Sequence, residues 1–320
     1  MSTNLRWIVS VSASCSHAAA ALDAGRSLVE PKLATALAPG VESLRALFDA
    51  GGVARERFYR HLVPLSAGIE NNRELVDVAW RKAMTASPDE VTTSHLAAAV
   101  AGLKRAFASE LPGLLDELEL RAAPLVEQWE ARGPGLLASV GRLTEADLVV
   151  EQADVMLVYP ALGGGGEAHL PYNSVRIEAV LANPHAQLPE VVRLAWFVSQ
   201  LSLDLPKYSE KIDGARLPRL AALAMIPPVL AAAEQVELAH YDDATLRLAL
   251  QVWEPPGQDA TATETTPPDS LAPAATDAEA ADAQAGNADV AATLDTWWRT
   301  YTDAPMPFSV ALAALDKMLG

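Results

Sequence analysis

One segment divides this chain before any other pattern is considered. Residues 255–289 contain five prolines, seven acidic residues and no lysine or arginine, and Leu271 is their only large aliphatic residue. Such a composition cannot bury enough apolar surface to offset the conformational entropy lost on folding. We therefore predict a disordered acidic linker, rich in Pro, Ala and Thr, over 255–290. It separates a folded body, residues 1–254, from a C-terminal segment, residues 291–320.

The body is predicted to be mainly α, in the α+β class. Apolar residues recur at helical spacing through 30–140, between breaks that contain Gly or Pro. Ser-Pro-Asp-Glu at 87–90 has the pattern of a capping box with Pro at the first helical position, so a helix should begin there. Gly-Pro-Gly at 133–135 should break a later helix and offers a point of subdivision. The proline pair at 227–228 should kink or split another helix.

A small β component is predicted after Asp147. Two segments rich in Val, Leu and Ile predict strands, and the four glycines at 163–166 lie between them. We interpret them as an antiparallel hairpin at about 148–181. The glycine run is not followed by the Gly-Lys-Ser/Thr of a nucleotide-binding loop and leads toward a strand, so it should be the hairpin tip. The alternation of apolar residues over 7–11 fits either a short strand or the opening of a helix.

The second predicted strand has one wholly polar face, formed by Tyr172, Ser174, Arg176 and Glu178. That face should meet water, a groove or a ligand. In the next helix, Glu190 and Arg193 either form an i,i+3 ion pair or line a cleft with the hairpin. The candidate ligand-binding residues are His169, Tyr172, Asn173, Arg176, Glu178, Glu190 and Arg193.

The predicted layout of strand, glycine loop, strand and then helix resembles that of zincin metalloproteases, which place an edge strand ahead of a helix carrying H-E-x-x-H for zinc binding. The comparable window here is 189–193, and only Glu190 matches. Pro189 and Arg193 stand where both metal ligands would have to be, so the chain is not assigned to that family. If the layout holds, a degenerate, metal-free protein remains.

No catalytic or metal-binding pattern is found elsewhere. His17, His61 and His95 fall in predicted helices without other ligand types one turn away, so we expect them at the surface or at helix caps. Cys15, the only cysteine, is predicted to be a small buried hydrophobic residue. His169 and His185 could converge with Glu178, but we predict no metal, no cofactor and no catalytic residue.

The charge balance limits the partners. The sequence carries 24 Lys and Arg against 41 Asp and Glu, a formal charge of −17, which repels phosphate backbones and anionic headgroups. We therefore expect no nucleic-acid binding. No run approaches the ~18 apolar residues that span a membrane. We expect a cytoplasmic protein; the alternative is an exported lipoprotein anchored through Cys15.

The C-terminal segment is apolar again and carries an amphipathic helix that must dock on the body or on a protein partner. The docking residues are Trp297, Trp298, Phe308, Leu312, Leu315 and Leu319. The leading functional interpretation is a soluble, non-catalytic interaction or scaffold protein. The alternative is a small-ligand-binding or hydrolase-like protein, in its degenerate form zincin-like and metal-free, with a site at the hairpin and the following helix.

Overall fold

The computed structural model describes residues 3–253 and 277–320, and for 277–288 the backbone alone. It is 66% helical, with twelve helices and one small sheet in the described part, which confirms the mainly α fold with a minor β component. The strands are β1 (Asn4–Val9), β2 (Gln152–Val158), β3 (Gly166–His169) and β4 (Ser174–Glu178). The helices are α1 (Val11–Asp23), α2 (Pro31–Gly51), α3 (Arg55–Leu65), α4 (Asn72–Met84), α5 (Glu90–Glu110), α6 (Leu114–Leu143), α7 (Glu190–Gln200), α8 (Pro206–Ser209), α9 (Leu217–Gln235), α10 (Asp243–Trp253), α11 (Asp277–Asp303) and α12 (Phe308–Met318).

The chain folds into two compact units. The first comprises Met1–Arg132 and Val150–Pro184, and it contains the sheet and helices α1 to α5. The second comprises Gly133–Val149 and His185–Gly320, and it contains helices α7 to α12. Helix α6 supplies residues to both units.

The sheet of the first unit has the strand order β1-β2-β4-β3. Strand β2 is parallel to both β1 and β4, so the predicted antiparallel pairing of the two long apolar segments is wrong. An antiparallel hairpin is present, but it is formed by β3 and β4. The prediction missed β3 because it is only four residues long and directly follows the glycines. Strand β3 lies on the outer side of β4 and runs antiparallel to it. The chain therefore reverses direction twice after β2, and β4 runs parallel to β2.

The alternating apolar residues at 7–11 span both elements that the sequence suggested. They include the end of strand β1 and the first residue of helix α1. The Ser10 Oγ accepts the Ala13 amide at 3.0 Å and caps the start of α1. Ala13, Ala18 and Ala19 of α1 are fully buried, because small side chains let the helix approach its neighbours closely. Helix α1 packs on β2 and on α3, and it covers the sheet face that carries the polar residues of β4.

Three predicted helix boundaries need correction. Asp89, not Ser87, caps α5, with its Oδ1 accepting the Thr92 amide at 2.7 Å, so Pro88 lies outside the helix. Helix α6 continues through Gly-Pro-Gly at 133–135, and α9 continues through the proline pair at 227–228. In both helices deeply buried apolar side chains follow or surround the prolines, and their burial offsets the lost backbone hydrogen bonds.

Helix α9 is the one described helix that is long and apolar enough, by length and composition alone, to cross a membrane. Since 72% of its apolar window is buried inside the protein, it has the character of a core helix. The predicted absence of a membrane span stays a prediction.

The C-terminal segment packs within the second unit. Helix α11 contacts α9 and α10, and α12 contacts α8 and α9. The predicted linker lies outside the described residues as far as 276, and its last residues belong to the backbone of α11, which begins at Asp277. Leu312 and Leu315 are fully buried, whereas Leu319 is partly exposed beyond the end of α12.

Candidate functional site

The polar face of β4 is buried under α1 instead of facing water. We call the group that meets there the polar cluster: His17 of α1, Glu167 and His169 of β3, and Ser174, Arg176 and Glu178 of β4. The strand register places Glu167 opposite Arg176 and His169 opposite Ser174, so all four side chains lie on one face of the sheet. Only 5% of Ser174, 7% of Arg176 and 1% of Glu178 is exposed.

Glu178 holds the glycine loop in place. Its two carboxylate oxygens accept the backbone N–H groups of Leu162, at 2.9 Å, and Gly164, at 2.6 Å. The three glycines at 163–165 have φ values of 82°, 136° and 130°, which only glycine adopts readily. The loop thus cradles an anion with its amides, but that anion is a side chain of the same sheet.

His17 joins Glu178 to Arg176. Its Nε2 donates to the Glu178 carboxylate at 2.6 Å, while its Nδ1 accepts from the Arg176 guanidinium at 2.8 Å. Burial lowers the pKa of His17 to about 4, and the Arg176 charge acts in the same direction against the opposing effect of Glu178. At neutral pH both ring nitrogens are therefore occupied, which leaves no lone pair for general-base catalysis.

Glu167 provides the charge partner of Arg176. The Arg176 Nη2 donates to the Glu167 carboxylate at 2.9 Å. Burial opposes ionisation of Glu167, yet the charge of Arg176 and its hydrogen bond lower the pKa of Glu167. The two partners differ in exposure, because 43% of the Glu167 side chain is accessible to solvent against 9% for Arg176.

The remaining polar atoms of the cluster lack hydrogen bonds. Within the described residues, neither ring nitrogen of His169, nor the Ser174 Oγ, nor the Arg176 Nε has a hydrogen-bond partner. The nearest acid, Glu167, lies 3.9 Å from the His169 Nδ1, which is too far for a hydrogen bond. Burial lowers the pKa of His169 to about 4, so its ring is neutral at pH 7. Buried polar groups without partners are rare in folded proteins and call for an explanation.

Basic groups of α3 and α4 lie beside the cluster. The His61 Nδ1 and the Tyr172 hydroxyl are hydrogen-bonded at 2.8 Å, and the Lys82 Nζ lies 5.2 Å from the centre of the Tyr172 ring. Burial lowers the pKa of His61, and the charges of Lys82 and Arg60 act in the same direction. The charge of Arg60 also lowers the pKa of His169. Positive charge therefore lies near Tyr172 and near His169, although the chain as a whole carries a formal charge of −17.

The structure separates the predicted ligand-binding residues into three groups. His169, Arg176 and Glu178 meet in the polar cluster. Tyr172 lies in a short 3-10 turn, and Asn173 has a left-handed backbone and donates to the Gln152 carbonyl, so both shape the start of β4. The other two residues, Glu190 and Arg193, belong to the second unit. They form an i,i+3 pair of buried side chains with 3.5 Å between the Arg193 Nη1 and the Glu190 Oε1.

Sequence reasoning missed His17 and Glu167. His17 was expected at the surface, but it is buried and contacts a residue 161 positions away, a pairing that helical periodicity cannot predict. Glu167 alternates with His169, and that two-residue period was the available signal for β3. Cys15 is buried, as predicted, and burial raises the pKa of its thiol to about 12.

The buried histidines make stability depend on pH. Between pH 6.5 and about 4 an unfolded histidine binds a proton that folded His17 or His169 does not, because the pKa of each is lowered to about 4. Stability should therefore fall as the pH decreases, by about 1.4 kcal/mol per pH unit for each histidine. Urea unfolding at pH 7, 6 and 5 measures the change in the free energy of unfolding per pH unit. The H169N substitution should reduce that change by the contribution of one histidine. A free energy of unfolding that is constant from pH 7 to 5 would contradict this prediction.

The described residues contain no group of three or more His, Cys, Asp or Glu side chains that could hold a metal ion. In the window compared with the zincins, Pro189 lies at the start of α7 and Arg193 one turn into it. Comparison with known proteins provides no family for the chain. No protein-family model matches it, and no curated protein or solved structure matches it.

Proposed function

We propose that the protein binds a small polar ligand at the polar cluster, without catalysing a reaction on it. The observation that carries the proposal is the pair His169 and Ser174, buried cross-strand neighbours whose side-chain polar atoms have no hydrogen-bond partner among the described residues. Each such atom costs about 1–3 kcal/mol when left unsatisfied. A ligand that supplies the missing partners regains part of that free energy on binding.

The residues around the cluster support binding over catalysis. Both nitrogens of His17 are engaged, and the Cys15 thiol has a raised pKa, so neither group serves as a base or a nucleophile at neutral pH. His169, Ser174 and Arg176 instead present hydrogen-bonding groups from one face of a sheet, which is a rigid arrangement suited to recognition.

The experiment is a thermal-shift screen of small metabolites on the full chain, repeated with S174A and S14A. A ligand at a hundred times its dissociation constant should stabilise the wild type by about 2.7 kcal/mol. S174A should abolish the shift and leave the unliganded protein as stable as the wild type or more stable, because it removes an unsatisfied hydroxyl.

S14A is the matched control. The Ser14 Oγ accepts the Tyr159 amide at 2.9 Å, so its loss should cost about 1–3 kcal/mol while any ligand shift is retained. If S174A proves as destabilising as S14A, the hydroxyl of Ser174 is satisfied in solution. In that case, and equally if no compound shifts the wild type, the ligand-binding proposal fails.

A second candidate function is that of an interaction or scaffold protein acting through its C-terminal segment. It is supported by the aromatic packing of that segment, in which Trp297, Tyr301 and Phe308 contact one another and Phe308 also contacts Tyr208 of α8. In this arrangement the segment docks on its own chain, so a partner would have to compete with α8 and α9. F308A, which weakens the docking, should then recover more partner in pull-downs than the wild type does. Equal recovery would count against a partner role.

A further inference from the structure

Arg176 is a buried cation with one exposed counter-charge. Its guanidinium lies on an inner strand and is fixed by the His17 ring, whereas its carboxylate partner, Glu167, lies on the edge strand β3 and is about half exposed. Glu178 does not compensate Arg176 in the same way, because its oxygens are engaged by His17 and by the loop amides. The ion pair therefore has one immobile and one replaceable member.

The attachment of Glu167 makes it replaceable. It follows four consecutive glycines, and β3 pairs with β4 alone. Glycines offer the backbone many conformations, and a short edge strand has few contacts to lose. The Glu167 side chain is therefore held by fewer contacts than Arg176, which is buried and also bound to the His17 ring.

Three unpaired groups around Arg176 can donate hydrogen bonds, whereas the second nitrogen of the neutral His169 ring can only accept one. The three donors are the Ser174 hydroxyl, the Arg176 Nε–H and one N–H of the neutral His169 ring. Arg60 adds positive charge near His169. A set of donors around a buried guanidinium matches the oxygens of a carboxylate or phosphate group.

We propose that the polar cluster binds an oxyanion, the carboxylate or phosphate group of a small ligand, which displaces the Glu167 carboxylate from Arg176. This inference rests on the proposed ligand-binding function and names the chemical class of the ligand. In the free protein, Glu167 occupies the position that the ligand anion takes.

The experiment measures binding of inorganic phosphate and, separately, of acetate to the full chain by isothermal titration calorimetry at pH 7. E167Q removes the competing charge and keeps the shape of the side chain. It should bind the preferred anion at least about tenfold more tightly than the wild type, because the anion no longer has to displace a carboxylate from Arg176. E117Q, at a similarly exposed glutamate paired with Arg121 on α6, should bind as the wild type does.

The outcomes separate the two proposals. If E167Q and the wild type bind the anion equally, or if E117Q binds as tightly as E167Q, displacement of Glu167 is overturned while ligand binding stands. If neither anion binds E167Q but a neutral or cationic compound gives a thermal shift that S174A abolishes, the oxyanion class is overturned. If no compound of any charge binds either protein, both proposals fail. The preference between phosphate and acetate identifies the anion.

Discussion

Replacing Glu178 with alanine should lower the free energy of unfolding of the first unit by at least about 3 kcal/mol, because three hydrogen-bond donors lose their acceptor at about 1–3 kcal/mol each. The carboxylate is fully buried, and it binds the His17 ring and two amides of the glycine loop. Its loss leaves those two donors and the ring N–H without acceptors in the interior. Urea unfolding measures the change in free energy.

The control for E178A is D154N on β2. Asp154 also forms an ion pair on this sheet, with Arg6, but that pair is exposed and should contribute about 0–1 kcal/mol. Hydrogen exchange adds a local measurement, because the amides of Leu162 and Gly164 should lose protection in E178A and keep it in D154N. If E178A is no more destabilising than D154N, the carboxylate does not anchor the loop.

Replacing Phe308 with alanine should destabilise the second unit by about 3–5 kcal/mol, as expected for a large aromatic side chain removed from a core. Phe308 is fully buried, with ring centroids 5.7 Å from Tyr301, 6.0 Å from Trp297 and 6.5 Å from Tyr208. The substitution leaves a cavity among the three remaining aromatic rings, and that cavity cannot collapse without moving α12. The measurement is the shift of the urea midpoint followed by tryptophan fluorescence.

V310A is the control for F308A. Val310 lies on the same helix two residues later and is 50% exposed, so its loss should change stability by less than about 0.5 kcal/mol. Equal effects of the two substitutions would mean that α12 is not docked in solution as described. That result would remove the basis for an interaction role that depends on competition for this segment.

Most of the helices could be predicted from local patterns, and the exceptions have physical causes. Asp242, which precedes the apolar helical pattern of 243–253, caps α10, with its Oδ1 accepting the Thr245 amide at 2.7 Å. The Gly-Pro-Gly at 133–135 was misread because a local propensity of a few kcal/mol is weaker than the burial of Leu136 and Leu137 just after it. Propensity acts within one turn, whereas burial depends on the whole fold.

The sheet and the site were harder to predict because their contacts are distant in sequence. The residues of β2 and β4 were recognised as strands, but periodicity does not tell which strands are neighbours or in which direction they run. Three of the four residues predicted for the polar face, Ser174, Arg176 and Glu178, do lie on one face of β4, whereas Tyr172 precedes the strand. What covers it could not be predicted, since His17 comes from an alanine-rich helix near the start of the chain.

The long separation between His17 and Glu178 also matters while the protein is being made. The two residues lie 161 positions apart, so at about 5–20 residues per second a ribosome needs on the order of ten to thirty seconds to produce the second after the first. During most of that interval α1 lacks the sheet face that it covers, and β1 lacks β2, its partner strand in the described sheet. The first unit can therefore close only after β4 has been made and Glu178 can bind His17.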